Sequence, residues 1–154
     1  MKFLDLTTPE LMIIDMGAES KEDAFRELAN ALFREIIILD CDYLITQTMH
    51  REELGSTGVG FGVAIAHCQL SEISVTRLAI GTSKNGIEWE SLDGAPIHLI
   101  FLVLTNPKNV HDILRLNEML AVPLREANFR EGLIQADTTE EAWEILEDCD
   151  NGFF

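Results

Sequence analysis

The chain has 154 residues, 47% apolar and 25% charged, the balance of an ordinary globular domain rather than of a disordered or fibrous chain. Eleven Lys and Arg against 27 Asp and Glu leave a formal net charge of -16, which disfavours nucleic acid and anionic lipid as partners and favours a basic protein. The three cysteines, Cys41, Cys68 and Cys149, are odd in number and widely spaced, so they suggest neither a disulfide framework nor a structural zinc site, and a reducing compartment fits them.

The apolar stretch around residues 99–104 falls far short of the ~20 residues that cross a bilayer, and Asp5 and Glu10 interrupt what would be a signal peptide's apolar region behind Lys2. The expectation is a cytoplasmic protein with no direct membrane insertion. A chain of this length buries roughly 68–70% of its extended surface, enough for one core without metals or disulfides. A single domain over residues 1–154 is expected.

In chain order, Ser20 precedes Phe25, Leu28, Ala29, Leu32 and Phe33, the stripe of one buried helix face behind a cap. Ile36 to Leu39 reads as a short connection or a buried strand. Asp42 then caps a second helix that runs to about Leu54 and stops at Gly55. Gly55 to Gly62 is a glycine-rich loop that leads into a strand from Val63 to His67, with His67 near the strand end. Two further strands follow, Val75 to Gly81 and Ile97 to Thr105, separated by Gly86 and Asp93-Gly94. The second is apolar on both faces and should be central. Val110 to about Leu120 is helical and ends at Pro123, and a short helix includes Phe129 and Leu133. Thr138 and Glu141 form a capping box ahead of Ala142, Ile145 and Leu146, and the acidic tail of residues 147–154 is expected to be loose. Strands interleaved with helices, with no repeat or linker, predict an α/β domain: a mixed β-sheet flanked by helices on both sides.

Successive glycines let backbone N–H groups approach an anion, and the Ser56 and Thr57 hydroxyls add donors, so both residues are candidate phosphate ligands. The loop is neither a P-loop nor a dinucleotide fingerprint, because no Lys-Ser/Thr follows it and it opens a strand rather than a helix. A sharp turn needing positive φ would explain the glycines equally. His67 offers a neutral ring nitrogen suited to accepting a phosphoryl group. Cys68, adjacent on a strand, points to the opposite face and cannot chelate one ion with it. No metal site and no cofactor are expected. His98, within an apolar strand, reads as a core histidine, and His50 as a surface one.

The run Arg51-Glu52-Glu53-Leu54-Gly55-Ser56-Thr57-Gly58-Val59-Gly60-Phe61-Gly62-Val63-Ala64-Ile65-Ala66-His67 resembles the phosphorylation-site segment of phosphotransferase-system (PTS) IIA domains of the fructose/mannitol/nitrogen type. The resemblance continues through Asp93 to Leu104, the helix opening at His111, and Phe129 to Leu146, and so covers nearly the whole chain. It implies a IIA phosphocarrier in which His67 takes a phosphoryl group from HPr, or from its nitrogen-branch counterpart NPr, and passes it to a separate IIB protein or uses it as a signal to regulatory target proteins. It also implies that His111 and Arg51 assist at the same site. Donors aimed at the transferring phosphoryl oxygens are what such a reaction needs.

The chain departs from the family pattern at Phe61, Ala66 and Cys68, where asparagine, proline and glycine are usual. On the sequence these three cluster around His67 and put its pocket shape in question. A phosphorylation-impaired binding module of the same fold is the rival reading, and a metal-dependent hydrolase using the histidines a weaker one. Phe61 and the apolar residues near the glycine-rich loop are candidates for the contact with a phosphodonor.

Overall fold

The strand Ile97–Thr105, β5, is buried along its length except at half-buried His98, because it is paired on both edges and covered on both faces. In the computed structural model, which describes residues 1–154, it is the middle of a five-stranded sheet of order β1-β4-β5-β3-β2. The other strands are β1 Met12–Ile13, β2 Gly58–Gly60, β3 Val63–Gln69 and β4 Arg77–Ile87. β3 runs parallel to β5, β4 antiparallel to it, and β2 antiparallel to β3, so the sheet is mixed, as expected.

The helices are α1 Phe3–Leu6, α2 Lys21–Arg34, α3 Cys41–Glu53, α4 His111–Ala121, α5 Ala127–Gln135 and α6 Thr139–Asp150. Two cores separate them. Phe25, Leu28 and Leu32 of α2 and Leu44 of α3 pack on the sheet face that carries Ala64, Ala66, Cys68, Leu102 and Leu104. Phe3, Leu116, Leu120, Phe129, Leu133 and Leu146, from α1, α4, α5 and α6, pack on the face of Val63, Leu99, Phe101 and Val103. Alternation along β3 and β5 therefore assigns each side chain to one layer or the other, and His67 and Thr105 share the face of Val63 and Val103.

Ser20 caps α2 by accepting from the Asp23 N–H, and Thr138 caps α6 by accepting from Glu141, both as the sequence predicts. Several details differ. Phe33 is 53% exposed and lies off the buried stripe of α2. The cap of α3 is Asp40, which has the extended backbone a cap requires and accepts from the Tyr43 N–H at 3.0 Å. Asp42 already lies inside the first turn, where it pairs with Arg26. Ile36 to Leu39 is a turn that leaves Ile36 and Leu39 exposed. β4 begins at Arg77 and continues to Ile87, carrying Gly86 within it at a register irregularity. The glycine-rich segment is not wholly a loop, since its middle forms β2.

The carboxyl-terminal tail is not loose. Asp150 closes α6, and its carboxylate accepts from the free N–H groups of Phe3 and Leu4 at 2.8 and 2.9 Å, the position where a helix start favours negative charge. Phe154 packs edge-on against Phe129 with ring centroids 5.4 Å apart.

Candidate functional site

β3 enters the sheet at Val63 and ends at Gln69 with β5 parallel on one side and β2 antiparallel on the other. Parallel pairing brings the end of β5, and so the turn that opens α4 at His111, to the edge of the sheet where β3 ends. Antiparallel pairing brings the lead-in to β2 to that same edge. The Ile65 N–H donates to the Thr57 carbonyl at 3.0 Å, one step beyond the Gly58 and Ala64 pair. Arg51, in the last turn of α3, donates from Nη1 to the Gly55 carbonyl at 2.8 Å. Parallel pairing therefore puts the turn before His111 at the end of the sheet where β3 ends, and Arg51 is tied to the segment that leads into β2. Arg51 and His111 are exposed, and His67 is half-buried.

The turn before α4 is fixed by side chains. Asn106 donates through Nδ2 to the carbonyls of Ser71 and Ile73, and the Thr76 hydroxyl donates to Asp112 at 2.6 Å. These bonds join the β5 to α4 turn to the β3 to β4 turn. The amino end of α4, where the Asp112 and Ile113 N–H groups bond back to the Asn109 and Val110 carbonyls, follows this turn, and a helix start favours negative charge.

The His67 ring has one side-chain partner: Nε2 lies 2.7 Å from the hydroxyl oxygen of Thr105, which is fully buried. Burial holds the His67 pKa below the ordinary imidazole value, because desolvation disfavours the charged form. The ring is therefore neutral at physiological pH and keeps a nitrogen lone pair. Cys68 is buried on the other face and its thiol is pushed up to about 11, chiefly by burial and next by Glu72. It is an inert core thiol, not a nucleophile.

Glu52 is a buried organiser of the segment before β2, on the side where Trp89 follows the end of β4 that pairs with the start of β5. Its carboxylate accepts from Lys21 Nζ at 2.9 Å, from the Thr57 N–H at 3.2 Å and from the Thr57 hydroxyl. The Trp89 indole donates to the Thr57 oxygen at 3.4 Å. The expectation for Thr57 is corrected accordingly: its hydroxyl proton is committed to Glu52, so it ties α3 to β2 instead of reaching outward to a phosphate. Ser56 accepts from the Gly58 N–H at 3.0 Å and is half-buried, which leaves its own hydroxyl proton to donate. An open cavity of about 580 Å³ beside this network is lined by Lys21, Glu52, Trp89 and a set of further carboxylates, and His67 is not among its lining residues. No group of three or more His, Cys, Asp or Glu side chains is gathered to hold a metal ion.

Phe61 belongs to the opposite edge. It sits in the tight turn between β2 and β3, where Gly60, Phe61 and Gly62 all have positive φ, at 96°, 57° and 73°. The Arg130 guanidinium of α5 lies 4.3 Å from its ring centroid. His67 lies four positions beyond Val63, about 13 Å at strand rise. The expectation that Phe61 shapes the His67 pocket is therefore corrected: its constraint is the left-handed backbone of a turn, where asparagine is tolerated and a bulky side chain is strained. His98 is half-buried, and its Nδ1 is 2.8 Å from the Ser83 carbonyl, the structural role expected of it. Thr105 and Glu52 were not marked by sequence reasoning, because their parts depend on strand register and on burial.

Residues 5–149 match the family described as "Phosphoenolpyruvate-dependent sugar phosphotransferase system, EIIA 2". A nitrogen regulatory protein of Pseudomonas aeruginosa is 32% identical over 147 residues, which span 96% of this chain and 96% of that protein. The crystal structure of nitrogen regulatory protein IIA-Ntr from Neisseria meningitidis superposes with a TM-score of 0.82 at 29% identity, covering 92% of this chain and 96% of that one. The same fold, at 19% identity and a TM-score of 0.75, is found in a complex of enzyme IIA mannitol with phosphorylated enzyme IIB mannitol from Escherichia coli, over 92% of this chain and 99% of that one.

Proposed function

The chain belongs to the EIIA 2 family of the phosphoenolpyruvate-dependent sugar phosphotransferase system, and we propose that within it His67 is the atom-carrying step: it accepts a phosphoryl group as a phosphohistidine and releases it to a second protein. The observation that supports the reading is a half-buried imidazole near the end of β3, with its pKa lowered by burial, at the end of the sheet where the parallel strand β5 leads into the turn before His111.

Each group has a part. The His67 lone pair attacks phosphorus as the bond to the donor nitrogen breaks, a transfer in which positioning and charge stabilisation do most of the work. The guanidinium of Arg51, an imidazole N–H of His111 and the Ser56 hydroxyl donate to the phosphoryl oxygens. The amino end of α4 adds its positive partial charge. The donor is HPr or NPr. The acceptor is a separate IIB protein, or the phosphate acts as a charge switch for regulatory targets. A reactive ring outside the open cavity beside Glu52 suits a protein substrate better than a small molecule. Partners of this kind put the work in the cytoplasm.

The departures at Ala66 and Cys68 argue little against transfer. Both side chains pack in the α2 and α3 layer, away from the face of His67.

The test is phosphorylation with phosphoenolpyruvate, the first enzyme of the system and HPr or NPr. The expected outcome is one acid-labile phosphate per chain, lost in His67→Ala and kept in Cys68→Ala. A wild-type chain that stays unlabelled with both donors would overturn the reading in favour of a binding module of the same fold.

A further inference from the structure

Asp112 stands where α4 would be expected to carry an apolar side chain. Residues four apart share one face of a helix, and Asp112, Leu116 and Leu120 form such a row, whose second and third members are buried in the core beneath α4. The first turn of a helix favours an acidic residue, but that preference is met from any side of the turn and needs no partner. Here the carboxylate is half-buried and accepts the hydroxyl proton of Thr76 at 2.6 Å, the length of a bond to a charged acceptor. Thr76 is itself buried and immediately precedes β4, whose first residue, Arg77, is level with Leu104 near the end of β5. The bond therefore joins the head of α4 to the strand beside the one it follows. Apolar side chains pack in more than one rotation of a helix about its axis, whereas a hydrogen bond between two such groups holds in one. His111, one position before Asp112, projects about 100° round the axis from it. Its ring is exposed and makes no hydrogen bond of its own, so its direction follows from the rotation of the turn that carries it.

We propose that Thr76, acting through Asp112, is a positioning residue for His111: the pair fixes the rotation of the first turn of α4 and so aims the His111 ring at the end of the sheet where β3 carries His67. The proposal rests on the phosphocarrier reading, in which an N–H of His111 donates to the phosphoryl oxygens. The Thr76 and Asp112 pair takes no part in the bonds made and broken, and its proton stays on the Thr76 oxygen throughout.

Single-turnover transfer from phosphorylated HPr or NPr separates donor affinity from the first-order step. Thr76→Val, which keeps the shape without the hydroxyl, is expected to slow that step by about tenfold or more, the scale on which a small misplacement of an assisting group is felt. Donor affinity should be unchanged, and Thr76→Ser should restore the rate. With His111→Ala already in place, the same valine should add less than about a twofold change, because a residue that acts only through His111 has nothing left to act on. Thr76→Val combined with Asp112→Leu makes both partners apolar and leaves neither unpaired. That chain should unfold at the wild-type urea midpoint or above and still transfer slowly, which tells lost aim from lost stability, and it takes the place of Thr76→Val if the single variant does not fold. Transfer at the wild-type rate in the valine or the combined variant, or slowing of equal size with and without His111, overturns the proposal. Ring-proton spectra of the full chain need no phosphodonor. In Thr76→Val the His111 signals should move, while those of His98, held at the Ser83 carbonyl, should not; His111 signals that stay in place overturn the proposal as well. A wild-type chain that takes no phosphate from either donor would sink the phosphocarrier reading, and the spectra would still decide whether Thr76 sets the His111 ring.

Discussion

The two ends of β3 are built by different rules. At its entry, Gly60, Phe61 and Gly62 turn through left-handed backbone and Phe61 lies against Arg130, so geometry of the main chain sets which residues fit. At its exit, His67 meets Thr105, and away from that end a buried carboxylate, Glu52, ties α3 to the segment before β2. There the demand is for specific donors and acceptors. The comparison explains why three departures from the family pattern, close together in sequence, do not act on one pocket: Phe61 is at the entry end, while Ala66 and Cys68 face the α2 and α3 layer.

The largest effect is expected from breaking the Glu52 network. Glu52→Ala would leave Lys21, whose side chain is 16% exposed, without its partner, and the Thr57 N–H and hydroxyl unpaired. Loss of one member of a buried ion pair costs about 3–5 kcal/mol, which urea unfolding would register as a lower midpoint. Glu52→Gln keeps an acceptor for Thr57 but not the charge for Lys21, and its loss should be smaller, about 1–3 kcal/mol. Equal losses in the two variants would mean that the ion pair contributes nothing beyond the hydrogen bonds.

A smaller effect distinguishes the exit end by pH. Burial holds the His67 pKa below its ordinary 6.5, so between the folded value and 6.5 the unfolded chain binds more protons than the folded one. Stability therefore rises with pH across that window, is complete above 6.5, and is lost as pH falls through the folded value. His67→Asn should flatten this part of the profile when unfolding is measured at about pH 5 and about pH 7.5. A variant profile parallel to wild type would place the proton uptake on another group.

How far these rules were legible in the sequence differs between the ends and between local and distant partners. The caps Ser20 and Thr138 were legible because their bonds close within three residues. β5 was legible because it is apolar on both faces. Asp40 was missed as the cap of α3 because two aspartates two residues apart fit the pattern, and the choice belongs to the extended backbone at Asp40. The Asp150 carboxylate reaches N–H groups almost the full length of the chain away, so the order of the tail could not be read locally. Glu52, between Arg51 and Glu53, reads as one more solvated charge until Lys21 and Thr57 close around it. Thr105 acquires a role only when the register of β3 on β5 is known. His67, Arg51 and His111 are singled out in the sequence through the family resemblance alone, and the strand order adds only that the turn before His111 lies at the end of the sheet where β3 ends.

The smallest effect should come from the entry end, and its smallness is the point. Phe61→Asn replaces a bulky residue at φ 57° with one that tolerates left-handed backbone, relieving strain of roughly 1–2 kcal/mol. It also removes the ring that Arg130 covers at 4.3 Å, an exposed cation–π contact worth roughly 0.5–1 kcal/mol. The two oppose each other, so the unfolding free energy should rise by no more than about 1.5 kcal/mol. Because the turn lies about 13 Å of strand away from the reactive ring, the rate of phosphoryl transfer should change by less than about twofold, within what a remote and independent site allows. A change of tenfold or more would show that the entry turn touches the phosphodonor, and would join the two ends of β3 into one surface.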